Sequence, residues 1–442
     1  MVWMSVGAGI GSGLLAVLAR RAPLLAWIAL CPFGLALSRC GPWTAVAGAL
    51  LGAALHGAAT WSQPAHLRWL GFVFGAIGWG IVAGAAGVAF DLLRASWPSA
   101  LLLTALLPLV ALLAAQPMRR AGAPRWIYAA LACTQEPWPA VLRAGWIGGD
   151  ATVTTLLSLS SVAMCLLAPG DARAPWLALL LGALVLTALA LAARSLARTR
   201  RAIASQRRVR VAAVVVNGAP PPDRPSDPLW PMRSPEYRDV EGTLARYEPH
   251  VRRAARAGAE LIVLPEAVVR ADGDDVARWR STIAQWAREL DVTIVAPHFD
   301  AVTPTNTLTI HEPSGTRWEH DKQHPAPGIE PAPRTREPPG PFPLERGWNL
   351  SAVLCVDLDY ADLVGPVRAA GGLLVAPAND WAGFEDIHDR SAVWAAVLTG
   401  TTVLRATGHG LCSARDGAGR VLARASSFDG PTVMVVEAPV AT

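Results

Sequence analysis

Apolar residues are distributed in two different ways along this chain. Before residue 197 they form long runs, roughly 3–19, 22–38, 43–60, 69–93, 100–115, 152–169 and 174–197. Several approach the ~20 residues that cross ~30 Å of hydrocarbon, so the first region is expected to be a membrane bundle of about seven helices. Glycine and alanine dominate the runs "GAALHGAATW" and "GAIGWGIVAGAAGVA". Small residues let transmembrane helices approach closely, so a packed bundle is expected rather than separate anchors. Trp43, Trp61, Trp69, Trp97 and Trp176 stand at segment edges, where an indole prefers the membrane interface. The first run lacks a basic n-region, so it is not read as a cleaved signal peptide. The partly polar stretch 116–151 is compatible with a loop carrying an interfacial amphipathic helix.

A basic and then proline-rich segment, 198–232, links the two regions. Arginines at 194, 198, 200, 201, 207 and 208 suit either a solvated helix end or a patch facing anionic lipid headgroups. From about 208 to 442 the apolar runs shorten and become rich in valine and isoleucine. "VRVAAVVV", "AELIVLPE", "DVTIVAPH", "NTLTIHE", "LSAVLCVDL", "GGLLVAPAND", "GHGLCSAR" and "TVMVVEA" read as buried strands. Helical patterns lie between them at about 236–257, 274–289, 359–369 and 386–404. This alternation predicts a layered α/β domain.

Composition sharpens the division. The chain is 52% hydrophobic and only 17% charged, whereas soluble domains run near 25% charged. The six cysteines, Cys31, Cys40, Cys133, Cys165, Cys355 and Cys412, include no CxxC pair. A disulfide framework and a zinc site are therefore not expected; no cofactor and no nucleic-acid partner are expected either. Lys322 is the only lysine among 39 basic residues.

Three strand ends carry reactive groups. Glu266 follows the run "LIVLP", Lys322 follows a hairpin, and Cys355 ends the run "SAVLC". Taken singly, each has an ordinary explanation: a helix cap, a surface cation, a core thiol. Taken together, a carboxylate, an amine and a thiol at strand ends can converge on one sheet edge.

In that order the three residues resemble the nitrilase, or carbon–nitrogen hydrolase, superfamily. An N-terminal membrane bundle joined to such a domain resembles the apolipoprotein N-acyltransferase family. "LPEA" resembles its glutamate motif, and "KQHPAPGIE" matches K-x-H-x-x-P-x-x-E through Lys322, His324, Pro327 and Glu330. "LC" at 354–355 matches the nucleophile strand, "NDWAGF" at 379–384 the Asn-Asp stretch after it, and "LRATGHG" at 404–410 the Arg-Ser-Thr segment. The chain departs from the family at Cys355-Val356-Asp357, where Cys-Tyr-Glu is usual. It departs again at Ala395 and Leu398, where the family helix carries arginine and glutamate. The family also has a last transmembrane helix, whereas "VMVVEAPVAT" reads as a strand and a short tail.

The resemblance implies a multi-pass bundle followed by a nitrilase-like domain, forming a four-layer α-β-β-α sandwich when paired. It implies acyl transfer from a phospholipid through a Cys355 thioester to the N-terminal amine of a lipoprotein. Glu266 would be the general base, Lys322 and the Val356 N–H would stabilise the oxyanion, and Glu330, Asn379 and Asp380 would support them. A lysine is a compact point charge that arginine's planar fork does not replace in a tight site, which accounts for the lone Lys322. Two other readings stay open: a membrane-tethered amidohydrolase, and a non-acylating relative of the conjugal-transfer type. Seven crossings with an inside N-terminus put the catalytic domain on the extracytoplasmic side of the cell membrane. The positive-inside rule opposes this, since Arg20, Arg21, Arg68, Arg119, Arg120, Arg125 and Arg143 would then be outside. Only Arg39, Arg94 and Arg173 would be inside.

Overall fold

Small residues set how closely the first helices meet. A Cβ on Gly52 would strike the Gly75 carbonyl oxygen, and one on Gly75 would lie 2.6 Å from the Gly52 carbonyl oxygen. Only glycine permits that approach of backbones. The computed structural model describes the chain except residues 60–64, 117–118, 120–124, 126–128, 168–173, 217–237, 316, 326–329, 331–339, 381–382, 429 and 442. It divides into two compact units, Met1–Leu196 and Ala197–Thr442.

The first unit is helical. Its elements are α1 (Val2–Leu18), α2 (Cys31–Leu37), α3 (Thr44–Ala59), α4 (Ala65–Leu93), α5 (Ser99–Ala114), the short α6 (Ala130–Cys133) and α7 (Pro139–Ala144), then α8 (Asp150–Leu166). The long α9 (Ala174–Ala204) runs on into the second unit. The apolar run 22–38, expected to be one helix, is instead a 3-10 turn at Pro23–Trp27 followed by α2. Pro23 and Pro32 each sit in a first turn, where a missing N–H costs nothing; deeper in one continuous helix it would break the ladder. Gln135 ties this break down, accepting from Trp27 Nε1 at 3.1 Å and donating to the Pro23 carbonyl at 2.9 Å. Among the described residues two helices, Arg68–Leu93 and Pro175–Ala204, are long and apolar enough to cross a membrane, fewer than the seven expected. The other apolar helices, such as Val2–Leu18 and Ser99–Ala114, are shorter. Along 116–151 the described residues include the short α6 and α7, and 117–118, 120–124 and 126–128 lie outside the described residues.

The linker is shorter than its composition implied. Helix α9 carries its arginines as far as Ala204, and strand β1 (Arg207–Val215) begins at once. The proline-rich stretch 219–232 lies outside the described residues.

Alternation in β1 shows how the second unit is layered. Val209, Val211, Ala213 and Val215 enter one core, and Ala212 and Val214 enter another, as the two-residue period of a strand requires. Three parallel strands follow from the α/β pattern: β1, β2 (Leu261–Val263) and β4 (Thr293–Asp300). Strand β3 (Arg270–Ala271) pairs with β4, and β5 (Thr305–His311) and β6 (Arg317–Asp321) extend the sheet antiparallel. The second sheet contains β7 (Phe342–Pro343), β8 (Asn349–Ala352), β9 (Leu373–Val375), β11 (Thr402–Arg405), β13 (Leu411–Arg415) and β14 (Val421–Ser426). Strands β10 (Ala378–Asn379) and β12 (Thr407–Gly408) form a small parallel pair, and β15 (Thr432–Val440) joins β1 antiparallel.

The sheets stack face to face, with Val211, Leu308 and Ile310 of one meeting Leu350, Val375 and Leu404 of the other. Helices α10 (Val240–Arg256) and α11 (Gly273–Leu290) cover the first sheet through Tyr247, Val251, Trp279 and Ile283. Helices α12 (Ala361–Ala370) and α13 (Glu385–Thr399) cover the second through Val364, Val367, Ala392 and Ala396. Burying each such aliphatic side chain contributes about 1.5–3 kcal/mol before entropy is set against it. The expected α/β sandwich is thus present, but its four layers close within one chain rather than on pairing. The helical pattern expected over 386–404 also splits: α13 stops at Gly400, whose φ of 74° makes a left-handed cap, and β11 follows.

Candidate active site

The three reactive residues approach from separate elements. Glu266 lies three residues beyond β2, Lys322 directly follows β6, and Cys355 lies three residues beyond β8. The expectation that Cys355 ends a strand is corrected. β8 stops at Ala352, and Cys355 opens a 3-10 turn, Cys355–Asp359, with φ 51°. Its N–H donates to the Pro377 carbonyl at 2.8 Å. Ala267 (φ 46°) and His409 (φ 49°), flanking the same region of sequence motifs, are also left-handed. Such backbone costs about 1–3 kcal/mol per residue and persists only where surroundings enforce it.

Glu266 and Lys322 meet directly. Lys322 Nζ donates to Glu266 Oε1 at 2.7 Å and to Glu330 Oε2 at 2.5 Å, with all three side chains at most 6% exposed. Asn379 donates its backbone N–H to Glu266 Oε2 at 3.1 Å and its side-chain amide to the Glu266 carbonyl at 2.7 Å. The Cys355 thiol donates to the Asn379 carbonyl at 3.8 Å and sits close enough to the Glu266 carboxylate for each to shift the other's proton affinity. Among the described residues the Val356 N–H has no hydrogen-bond partner. An N–H in the first turn of a 3-10 segment has no intrahelical acceptor, so this donor is left facing outward from the helix start.

Two carboxylates share one ammonium and one thiol, and burial sharpens the imbalance. Burial pushes the Glu266 carboxyl up, as does Glu330, and Lys322 only partly offsets them. The Cys355 thiol is pushed well above its ordinary value by burial and by Glu266. Burial alone would lower Lys322, but Glu266 and Glu330 outweigh it and hold the amine well above its usual range, fully charged. The resting site therefore keeps its ammonium and disfavours the thiolate.

Asp380 does not join this group. Its carboxylate turns into a separate buried cluster, 2.6 Å from His388 Nδ1 and 3.4 Å from Arg405 Nη2. Of the "NDWAGF" stretch, residues 381–382 lie outside the described residues.

Two residues enter that the sequence did not single out for a role. Asn306, on β5, donates its amide to Glu266 Oε1 at 2.9 Å and to Glu330 Oε1 at 2.8 Å. Since carboxylates only accept, the amide nitrogen must be the atom facing them. Asp357, the departure from the family pattern, accepts from the Gln323 N–H at 3.0 Å and the His324 N–H at 2.8 Å. It thereby holds the loop that carries Lys322, and His324 stacks on Tyr360 with 3.6 Å between centroids. Asp357 follows the nucleophile by two residues, which was the available signal for it. Asn306 offered none beyond a polar first residue in an apolar run.

Among the described residues no group of three or more His, Cys, Asp or Glu is placed to hold a metal ion. The site can perform proton transfer at sulfur and stabilise an anion beside it.

Solved structures similar to this chain include an amidase from Nesterenkonia sp., at 18% identity over 52% of this chain and 90% of that one, TM-score 0.43. A cysteine-to-alanine variant of the amidase from Nesterenkonia sp. AN1, in complex with butyramide, gives 18% identity, 52% and 91% coverage and a TM-score of 0.44. A cysteine-to-serine variant of the Nesterenkonia AN1 amidase, described as from the nitrilase superfamily, gives 18%, 52%, 92% and 0.43. No family model matches the sequence, and no curated protein matches it.

Proposed function

We propose that the chain is a membrane-embedded acyltransferase of nitrilase type that works through a thioester on Cys355. The observation that supports this most directly is the buried Glu266–Lys322 ion pair beside the Cys355 thiol. In the first half-reaction Glu266 takes the thiol proton as sulfur attacks an ester carbonyl. The Lys322 ammonium and the Val356 N–H face the developing oxyanion. Collapse of the tetrahedral intermediate breaks the ester C–O bond, and Glu266 returns the proton to the departing alkoxide. In the second half-reaction an amine attacks the thioester, Glu266 takes the amine proton, and the thiolate leaves. Glu330 and Asn306 position Lys322 and Glu266.

The donor we assign is a phospholipid and the acceptor the N-terminal amine of a lipoprotein. The apolar surface of the first unit supports a lipid setting. Trp69, Phe74, Ile77 and Ile81 on α4, and Trp176, Leu180, Leu186 and Leu191 on α9, are exposed. Among the large exposed hydrophobics of the described residues, only Val302 and Val421 lie beyond residue 197. Exposed apolar surface on that scale is a liability in water and is satisfied by hydrocarbon. The catalytic domain is assigned to the extracytoplasmic side; a phosphatase reporter fused after Thr442 is expected to be active, and a cytoplasmic reporter signal alone would sink the lipoprotein substrate.

The reaction is tested by intact-mass measurement of the purified full chain after incubation with phospholipid. A fatty-acyl mass increase that hydroxylamine removes, and that Cys355→Ala lacks, is the expected result. Release of ammonia from a simple amide without any lipid-derived adduct would replace this reading with an amidohydrolase.

A further inference from the structure

The arginine run is not used by the catalytic site, and part of it lines an open cleft of about 500 Å³. The cleft is bounded by Arg200, Ile203, Ala204, Arg208, Asp416 and Arg420. All six belong to the second unit. Arg200, Ile203 and Ala204 come from the end of α9 at three- and four-residue spacing, so they share one helix face. Ile203 is 3% exposed and fixes that face. Arg208 is the second residue of β1.

The opposite wall is a built turn. Asp416, with its side chain 3% exposed, accepts from the Ala418 and Arg420 N–H groups, both at 3.0 Å, through Oδ1. Its Oδ2 accepts from Arg420 Nε at 3.1 Å. Both carboxylate oxygens are therefore committed to the turn, and Arg420 is held by Nε with its side chain 65% exposed. Asp416 balances one arginine of the three. Arg200 and Arg208 have no carboxylate partner among the described residues, so the cleft carries an excess of two positive charges.

We propose that this cleft binds the phosphate of an anionic phospholipid headgroup, with Ile203 and Ala204 under its apolar part. Guanidinium forks match phosphate oxygens in pairs. The location favours a lipid over a free anion, because Arg200 lies on the same continuous helix as the apolar span Pro175–Ala204. Nineteen residues, 175–193, precede the first arginine, Arg194. At 1.5 Å per residue they cover about 28 Å, which brings the arginines to headgroup level. The assignment rests on the membrane setting proposed above but not on acyl transfer.

The test uses the full chain carrying Cys355→Ala, so that turnover plays no part. It is placed in nanodiscs of equal phosphatidylglycerol and phosphatidylcholine, and the retained lipid is read by native mass spectrometry. Preferential retention of phosphatidylglycerol is expected. Arg200→Gln with Arg208→Gln should reduce it about fivefold per arginine, roughly 25-fold for the pair. Arg194→Gln with Arg198→Gln makes the same charge change outside the cleft and should leave it near the starting level. Equal retention of both lipids, or an equal loss in both double variants, overturns the proposal. A further arm adds millimolar inorganic phosphate at constant ionic strength. Persistence of phosphatidylglycerol supports the lipid site, and its displacement makes this a soluble-anion site and overturns the assignment.

Discussion

Glu266 and Asp389 are both buried carboxylates of the second unit, 5% and 1% exposed, and burial acts on both in the same direction. Their outcomes are opposite. Glu266 shares one ammonium with Glu330 and a thiol, and its carboxyl ends above the ordinary range, raised by burial and by Glu330. Asp389 is also pushed up by burial, but Arg415 at 2.7 Å and Arg405 outweigh that and hold it low. The difference is the number of cations per carboxylate. A cluster in which Arg405, Arg415 and Arg424 match Asp380, Asp386 and Asp389 one for one locks its charges and holds helix α13 to the sheet. A cluster short of cations raises its carboxyl and its thiol together, which leaves both able to hold a proton.

The largest effect should come from breaking the reactive cluster at its centre. Cys355→Ser is expected to remove nearly all turnover, because a hydroxyl is a far weaker nucleophile beside a carboxylate base. Lys322→Arg should lower turnover by about 10²–10³, the usual cost of losing an oxyanion stabiliser, since a planar fork does not fit two carboxylates at 2.7 and 2.5 Å. Both are checked by rates of hydroxylamine-sensitive acylation. Wild-type activity in Lys322→Arg would show that charge alone suffices there.

In the structural cluster the same kind of break should act on stability instead. Arg415→Met leaves Asp389 without its nearest cation and should cost about 3–5 kcal/mol, while turnover per folded molecule stays near wild type. Denaturant titration beside a rate measurement separates the two. If turnover fell with stability unchanged, the division between the clusters would be wrong.

The clusters should also respond to pH in opposite senses. Asp389 has a depressed folded value, so its stabilisation is present above the unfolded value of about 3.9 and fades as pH falls through the folded one. Glu266 has a raised folded value, so its contribution is present below the unfolded value of about 4.3 and fades as pH rises through the folded one. In the proposed mechanism Glu266 must be ionised, which places the acidic limb of the rate profile above the usual carboxylate range. Glu330→Gln removes a negative neighbour, lowers the Glu266 value, and should move that limb to lower pH. A limb that stays in place would exclude Glu266 as the base.

The smallest effect is expected at the loop anchor. Asp357→Asn keeps an acceptor for one of the Gln323 and His324 N–H groups but turns its amide NH2 to the other, which now bonds the second carboxylate oxygen, at a cost of about 1–3 kcal/mol. A modest fall in turnover with the acidic limb unmoved is expected, and a shifted limb would give Asp357 an electrostatic role instead.

Much of this was legible in sequence. Eight short apolar runs marked strands, and the three chemically distinct residues Glu266, Lys322 and Cys355 stood near strand ends. What escaped did so for definable reasons. The run through Val353, Leu354, Cys355 and Val356 stays apolar across the end of β8, because both strand and turn are buried, so the pattern gave no sign of the break. β11 was hidden in a helical pattern, although Gly400 offered a stop signal. Asn306 acts through one amide whose partners lie 40 and 24 residues away, which no local pattern encodes. Asp357 was visible only as an odd residue until its backbone partners located the loop it holds.

The pairing of β15 with β1 has a consequence for how the molecule is made. Arg207 pairs with Val440 and Val215 with Thr432, so the first strand of the second unit lies along the last over nine residues. Thr402 also hydrogen-bonds the Pro439 carbonyl at 2.6 Å. During synthesis β1 leaves the ribosome with one edge bare, and its partner follows only after more than 200 further residues. At about 5–20 residues per second that edge stays open for ten seconds or more. A bare strand edge is a template for wrong pairing, so the nascent chain is most exposed to aggregation in that interval.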